Sequence, residues 1–148
     1  MSGDDSDVRE ALDHLSLQAD RDDPRPRPMI AILDAKPGMA GQLRGKIAGL
    51  THQVRREPGC LTLITCQARD TQSRFYLSEV YASAAAFDEH LQTQHVHNFI
   101  AAVPALSTAE PGSLIQLDEI ALDQGVHLAD GAMDAYFDGR RDSCRARR

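Results

Sequence analysis

Residues 60–82 read "CLTLITCQARDTQSRFYLSEVYA", and the way they pair decides the fold. Residues 60–68 are rich in Leu, Ile and Thr, a β-forming composition, and residues 74–82 are a second such run. The five residues between them, "RDTQS", are polar and suit a hairpin loop. Alternation along the second run puts Phe75, Leu77, Glu79 and Tyr81 on one face and Tyr76, Ser78 and Val80 on the other. An acid among apolar neighbours, Glu79, is the first residue to need an explanation.

Upstream, Met39, Leu43, Ile47, Leu50 and Val54 form one helical stripe, with Arg44, Lys46, Gln53 and Arg55 off it. That helix must stop before "EPG" (57–59), where Pro58 disfavours helix at Glu57. Further upstream, "MIAILDA" (29–35) is a short strand ending at the turn "KPG". Downstream, "SAAAFDEHLQ" (83–92) is a helix with Ser83 as its N-cap. "HVHNFIAAVPAL" (95–106) continues or restarts it after Thr93, and Pro104 should end or kink the second piece. "SLIQLDEIA" (113–121) supplies a fourth strand. The order β-α-β-β-α-β is that of an α+β, ferredoxin-like antiparallel sheet with its helices on one face. Leu, Ile and Val occur at both parities of the strands, so the second face should also be covered, most simply by another copy of the chain.

The flanks differ. Residues 1–28 are an acidic, Pro-containing extension ending in "DRDDPRPRP", which reads as a linker. "SDVREALDHLSL" (6–17) suits a short helix capped by Ser6, with little apolar face and marginal stability alone. This extension is expected to be partly disordered. Residues 122–148 form a C-terminal extension in which "HLADGAMDAYFDGRR" is weakly amphipathic and a candidate helix. The expected domain is residues 29–121.

Composition narrows the function classes. The chain has 148 residues, 42% hydrophobic and 26% charged, with net charge -6, which suits one globular domain. An acidic balance gives no electrostatic case for nucleic acid or an anionic membrane. No apolar run reaches membrane-spanning length and the N-terminus lacks the pattern of a secretory signal, so the cytoplasm is expected. Cys60 and Cys66 on one strand are roughly 20 Å apart at about 3.3 Å per residue, too far for a disulfide. Cys144 stands alone, and three reduced thiols are expected.

"PG" before the first helix, "REPGCL" before the second strand and "YLSEVYASAAAFDEHLQTQHVHNF" resemble the antibiotic biosynthesis monooxygenase family over about residues 29–121. The resemblance implies a dimeric α+β barrel, a homodimer of ferredoxin-like subunits with a pocket in each between sheet and helices. For several members it also implies oxygenation of quinol or polyphenol-type substrates by molecular oxygen without metal, haem or flavin. Haem degraders of the family use a Trp where His90 stands. This chain has no Trp, so haem degradation is not expected.

Three of the six histidines, His90, His95 and His97, fall within eight residues. On a continuous helix, His90 and His97 lie about 10.5 Å apart along the axis, and His90 and His95 are about 140° apart around it. Neither pair then converges on one ion, so no metal is expected. His90 follows Phe87 by three and shares its face, and the resemblance places a pocket residue there. His95 matches a histidine frequent in the family and suits the pocket or a helix-junction cap. His97 reads as outward and solvated.

Cofactor-free oxygenation needs a base that makes a phenol electron-rich enough to reduce triplet oxygen, and His suits that task. The candidate catalytic residues are therefore His90, His95 and Glu79. Glu79 would orient the imidazole, or act as base itself if burial raises its pKa; alternatively it forms an ion pair with Arg44 or Arg74. Tyr81, Tyr76, Phe87 and Phe99 are the candidate substrate-binding residues. Two other functions stay open. An isomerase of a small phosphorylated ketone would need a phosphate clamp from Lys36, Arg44, Arg69 or Arg74. A catalytically silent dimer would bind an apolar ligand.

Overall fold

A computed structural model describes residues 5–17, 21–109 and 113–118. The expected C-terminal helix, the end of the fourth strand and Cys144 lie outside the described residues. The elements are α1 (Asp5–Leu17), β1 (Arg27–Asp34), α2 (Ala40–Val54), β2 (Cys60–Gln67), β3 (Arg74–Tyr81), α3 (Ala84–Leu91), α4 (Gln94–Leu106) and β4 (Ile115–Gln116). The strands form one antiparallel sheet in the order β2-β3-β1-β4. This is the ferredoxin-like α+β arrangement.

Register explains how the sheet sorts its residues. Met29, Ala31 and Leu33 of β1 stand opposite Glu79, Leu77 and Phe75 of β3, so these positions share the inner face. Met29, Leu33, Leu63, Phe75, Leu77 and Tyr81 are buried there with Leu43, Ile47 and Val54 from the stripe of α2. The pairing of β2 shifts between Cys60 and Thr62, leaving Leu61 as the extra residue of a β-bulge. On the outer face stand Ile30, Ile32, Ile64, Tyr76 and Ile115, and Ile64 is 56% exposed.

Two turns depend on glycine. Gly38 adopts φ +77°, a left-handed backbone that lets β1 turn into α2. At Gly59 the reason is proximity: a Cβ there would lie 2.6 Å from Ala86 Cβ, so β2 begins hard against α3.

Three expectations need correction. α1 has a larger apolar face than expected and is not capped by Ser6, which lies within it. Val8, Ala11, Leu12 and Leu15 are buried in the core, and α1 packs on α4 and α3. Burial of an aliphatic side chain contributes about 1.5–3 kcal/mol before ordering entropy is subtracted, which a solitary helix lacks. Ser16 Oγ donates to Asp88 Oδ1 of α3 at 2.8 Å, and Arg21 Nε pairs with Asp88 Oδ2 at 2.9 Å. Second, α4 does not end at Pro104 but runs two residues beyond it, with the one bond that Pro104 cannot donate to the Ile100 carbonyl missing. Third, β4 holds only Ile115 and Gln116 among the described residues.

Candidate active site

The site is assembled from β3, α3, α4 and the loop after α2. Ser83 caps α3 by accepting from the Ala86 amide at 3.1 Å, which fixes the helix so that Phe87, His90 and Leu91 turn inward. Gln92 ends α3, and Thr93, in extended conformation, opens α4. His90 therefore stands in the last turn of one helix and His95 in the first turn of the next.

The break brings the two rings onto one carboxylate. His90 Nδ1 lies 2.9 Å from Glu57 Oε2, and His95 Nε2 hydrogen-bonds to Glu57 Oε1. The spacing argument against convergence assumes a continuous helix, and the break at Thr93 overturns it for this pair. One donor atom from each of Glu57, His90 and His95 lies within 4.8 Å of the others, close enough to build a divalent-cation site. As they stand, both rings are hydrogen-bonded to the carboxylate, so a cation would have to displace those protons. Burial pushes Glu57 up, but the hydrogen bonds and charges of His90 and then His95 outweigh it and hold the carboxyl below its ordinary value.

A second buried pair lies beside His90. The Tyr81 hydroxyl donates to Glu79 Oε2 at 2.7 Å. The Tyr81 and His90 rings are 4.7 Å apart, and His90 stacks on Phe87 at 5.9 Å and 21°. Burial raises the Glu79 carboxyl above its ordinary value; the charge of His90 and the Tyr81 hydrogen bond offset only part of this. The ion pair expected as an alternative is not found among the described residues: Arg74 binds Asp34 at 2.8 Å on the opposite face, and Arg44 is exposed on α2. Cys60 stands close by, its thiol pushed up to about 11 by burial and by the Glu57 and Glu79 charges, which leaves it a poor nucleophile.

Between the sheet and the helices lies an apolar cavity that opens to solvent on one side. Leu33, Leu77, Phe87, Leu91, Phe99 and Ile100 are among its walls, and Glu79 and His90 are the ionisable groups that reach it. With Nδ1 of His90 engaged by Glu57, Nε2 is the nitrogen left to meet a ligand. Phe87 and Phe99 thus line the cavity as expected. Tyr81 instead packs behind it, holding Glu79, and Tyr76 is on the outer face, 38% exposed. His95 borders a separate polar cleft with Lys46, Gln53 and Asn98 and reaches His90 only through Glu57. His97 is tethered, its Nε2 donating to the Leu91 carbonyl at 3.0 Å.

Sequence reasoning missed Glu57. It was visible only as the acid of "REPGCL", where it reads as a helix-stop residue.

The sequence pattern of the antibiotic biosynthesis monooxygenase family matches residues 29–102. Among solved structures, a Pseudomonas aeruginosa protein is 31% identical with a TM-score of 0.61, over 66% of this chain and 96% of that one. A Mycobacterium tuberculosis protein is 28% identical with a TM-score of 0.60, over 64% of this chain and 95% of that one. A third structure, named an antibiotic biosynthesis monooxygenase, is 22% identical with a TM-score of 0.59, over 64% and 98%, a likeness of fold. No curated protein matches the chain. Among the described residues, no helix is long and apolar enough to cross a membrane.

Proposed function

We propose that this chain, which belongs to the antibiotic biosynthesis monooxygenase family, is a cofactor-independent monooxygenase of a quinol or polyphenol, with His90 as its base. The observation that carries the proposal is a buried imidazole at the wall of an apolar cavity, fixed through Nδ1 by Glu57 and flanked by Glu79. Nε2 takes the proton of a phenolic hydroxyl, and the apolar walls keep water from the resulting anion. The electron-rich ring then reduces oxygen. One oxygen atom enters the ring and the other leaves as water with two hydrogens of the substrate. The substrate supplies all four electrons, so the balance requires no external reductant.

Glu57 orients His90 and stabilises the imidazolium, much as a carboxylate orients a catalytic histidine in other enzymes. A phosphorylated ketone fits less well, because no lysine or arginine is among the described residues lining the cavity. On this reading residues 29–121 carry the chemistry, in the cytoplasm. Oxygen uptake on a panel of hydroquinones, with mass spectrometry of products formed under ¹⁸O₂, tests it. Incorporation of one labelled atom per turnover is expected; no uptake on any hydroquinone ends the proposal.

The apolar outer face of the sheet supports a homodimer. A stable interface of this kind buries on the order of 2,000 Å² or more. Ile64 is 56% exposed in the single chain, so Ile64→Lys should leave the subunit folded and bury an unpaired charge only in the dimer. Light scattering is expected to show a dimer for the wild type and a monomer for the variant; a wild-type monomer at micromolar concentration refutes the arrangement.

A further inference from the structure

We infer that α1 is a wall of the ligand cavity and that Leu15 sets the size of the aromatic molecule the cavity takes. The inference rests on the proposed reading that this cavity holds the substrate. Leu15 is 5% exposed and borders the cavity together with residues of the sheet, α3 and α4. Val8, Ala11, Leu12 and Leu15 fall at helical spacing and anchor α1 along one stripe. Its C-terminal end is fastened by a second set of contacts. Asp88 accepts from Ser16 and pairs with Arg21, and Arg21 in turn donates to Ser16 at 2.8 Å. Asp88 stands two residues before His90 on α3, so the fastening ties the wall to the helix that carries the base.

The stretch that matches the family begins at residue 29, and α1 ends at Leu17. Glu57, Glu79, His90 and His95 all lie inside the matched stretch. The chemistry thus belongs to the part shared with the family, and this portion of the wall belongs to the added segment. Size selection can then vary without disturbing the base. The cavity lining is apolar except at Glu79, His90 and Ser113. It suits a flat aromatic body with an acidic hydroxyl at His90, the body meeting Leu15, Leu91 and Ile100.

Phenol and 2-naphthol, two stable ligands that differ by one ring, test the inference. 2-Naphthol binding is read by its own fluorescence, free of interference because the chain has no tryptophan, and phenol binding by competition. Pocket contacts of methylene size change affinity about tenfold or more. Leu15→Ala is therefore expected to shift the affinity ratio toward 2-naphthol by about tenfold, and Leu15→Phe to shift it toward phenol by about as much. Circular dichroism checks folding; should Leu15→Ala lose its fold, Leu15→Val makes the smaller change in the same direction. Ratios within about twofold of wild type in every folded variant overturn the inference, given the contact magnitudes above. So does a wild-type protein that binds neither phenol. The catalytic reading fails independently, through a wild-type protein that takes up no oxygen on any hydroquinone, because binding of 2-naphthol does not require the reaction.

Discussion

His90→Ala leaves a folded protein whose oxygen uptake on its best hydroquinone falls by about 10² to 10⁴, the range of general-base catalysis. The size follows from the position of the ring, held at Nδ1 by Glu57 and facing the cavity, with no neighbouring imidazole able to take its place. His95 reaches the site only through Glu57, so His95→Ala should fall between His90→Ala and wild type. His97 does not line the cavity. His97→Ala should change turnover by less than about threefold, as substitutions away from special features do, even though it gives up the tether to Leu91. The His90 variant also leaves the Glu57 carboxylate with one fewer partner, a cost of about 1–3 kcal/mol in stability. Steady-state oxygen consumption by all three variants, with urea unfolding alongside, checks the series. Full consumption by His90→Ala would move the base to Glu79.

Glu79→Gln gives the second large effect and separates two roles. Gln keeps an acceptor for the Tyr81 hydroxyl and removes the charge. If Glu79 stabilises the imidazolium at His90, the loss is that of a hydrogen-bonding charge, about 1.5–3 kcal/mol, or roughly 10- to 100-fold in rate. A larger loss, matching that of His90→Ala, would make Glu79 the base. Stability should respond with the opposite sign. Because burial raises the carboxyl above its ordinary value in the folded state, its ionisation favours the unfolded chain. Wild-type stability should therefore fall as pH rises from the ordinary Glu range through the raised folded value. Glu79→Gln lacks that decline, so it should match wild type in acid and gain on it toward neutral and alkaline pH. Urea midpoints measured across pH decide the point; parallel curves would mean that the fold does not raise the carboxyl.

Much of the scaffold was legible in the sequence, because apolar periodicity reports burial directly. The stripe from Leu43 to Val54 and the inner set Phe75, Leu77, Glu79 and Tyr81 are where alternation and helical spacing put them. Ser83 caps α3 as its residue type suggests. Through-space relations were not legible. Alternation already sets Tyr76 on the face opposite Tyr81, but it cannot show that Tyr81 supports Glu79 from behind the cavity instead of lining it; the packing of α3 does. Glu57 lies 33 residues from its partner His90, and local periodicity cannot report such a contact. The convergence of His90 and His95 depended on whether Thr93 interrupts the helix, which the residue pattern left open. α1 was underrated for a related reason: its four apolar positions look sparse until α3 and α4 supply the surface that covers them.

The fastening of Ser16 to Asp88 spans 72 residues of chain, and this orders the events of folding. α1 is made before the helices it packs on, which are complete only after three of the four strands have been synthesised. Closing so long a loop costs entropy that is repaid only once α3 is in place. α1 should therefore dock late, and the same limited set of contacts should make it the first helix to detach. In native-state hydrogen exchange, its amides are expected to open at lower free energy than those of β1 and β3; equal protection would mean that α1 folds with the sheet as one unit. If α1 opens first, the cavity gains a transient entrance beneath it, and ligand entry can occur without unfolding the strands that hold Glu79.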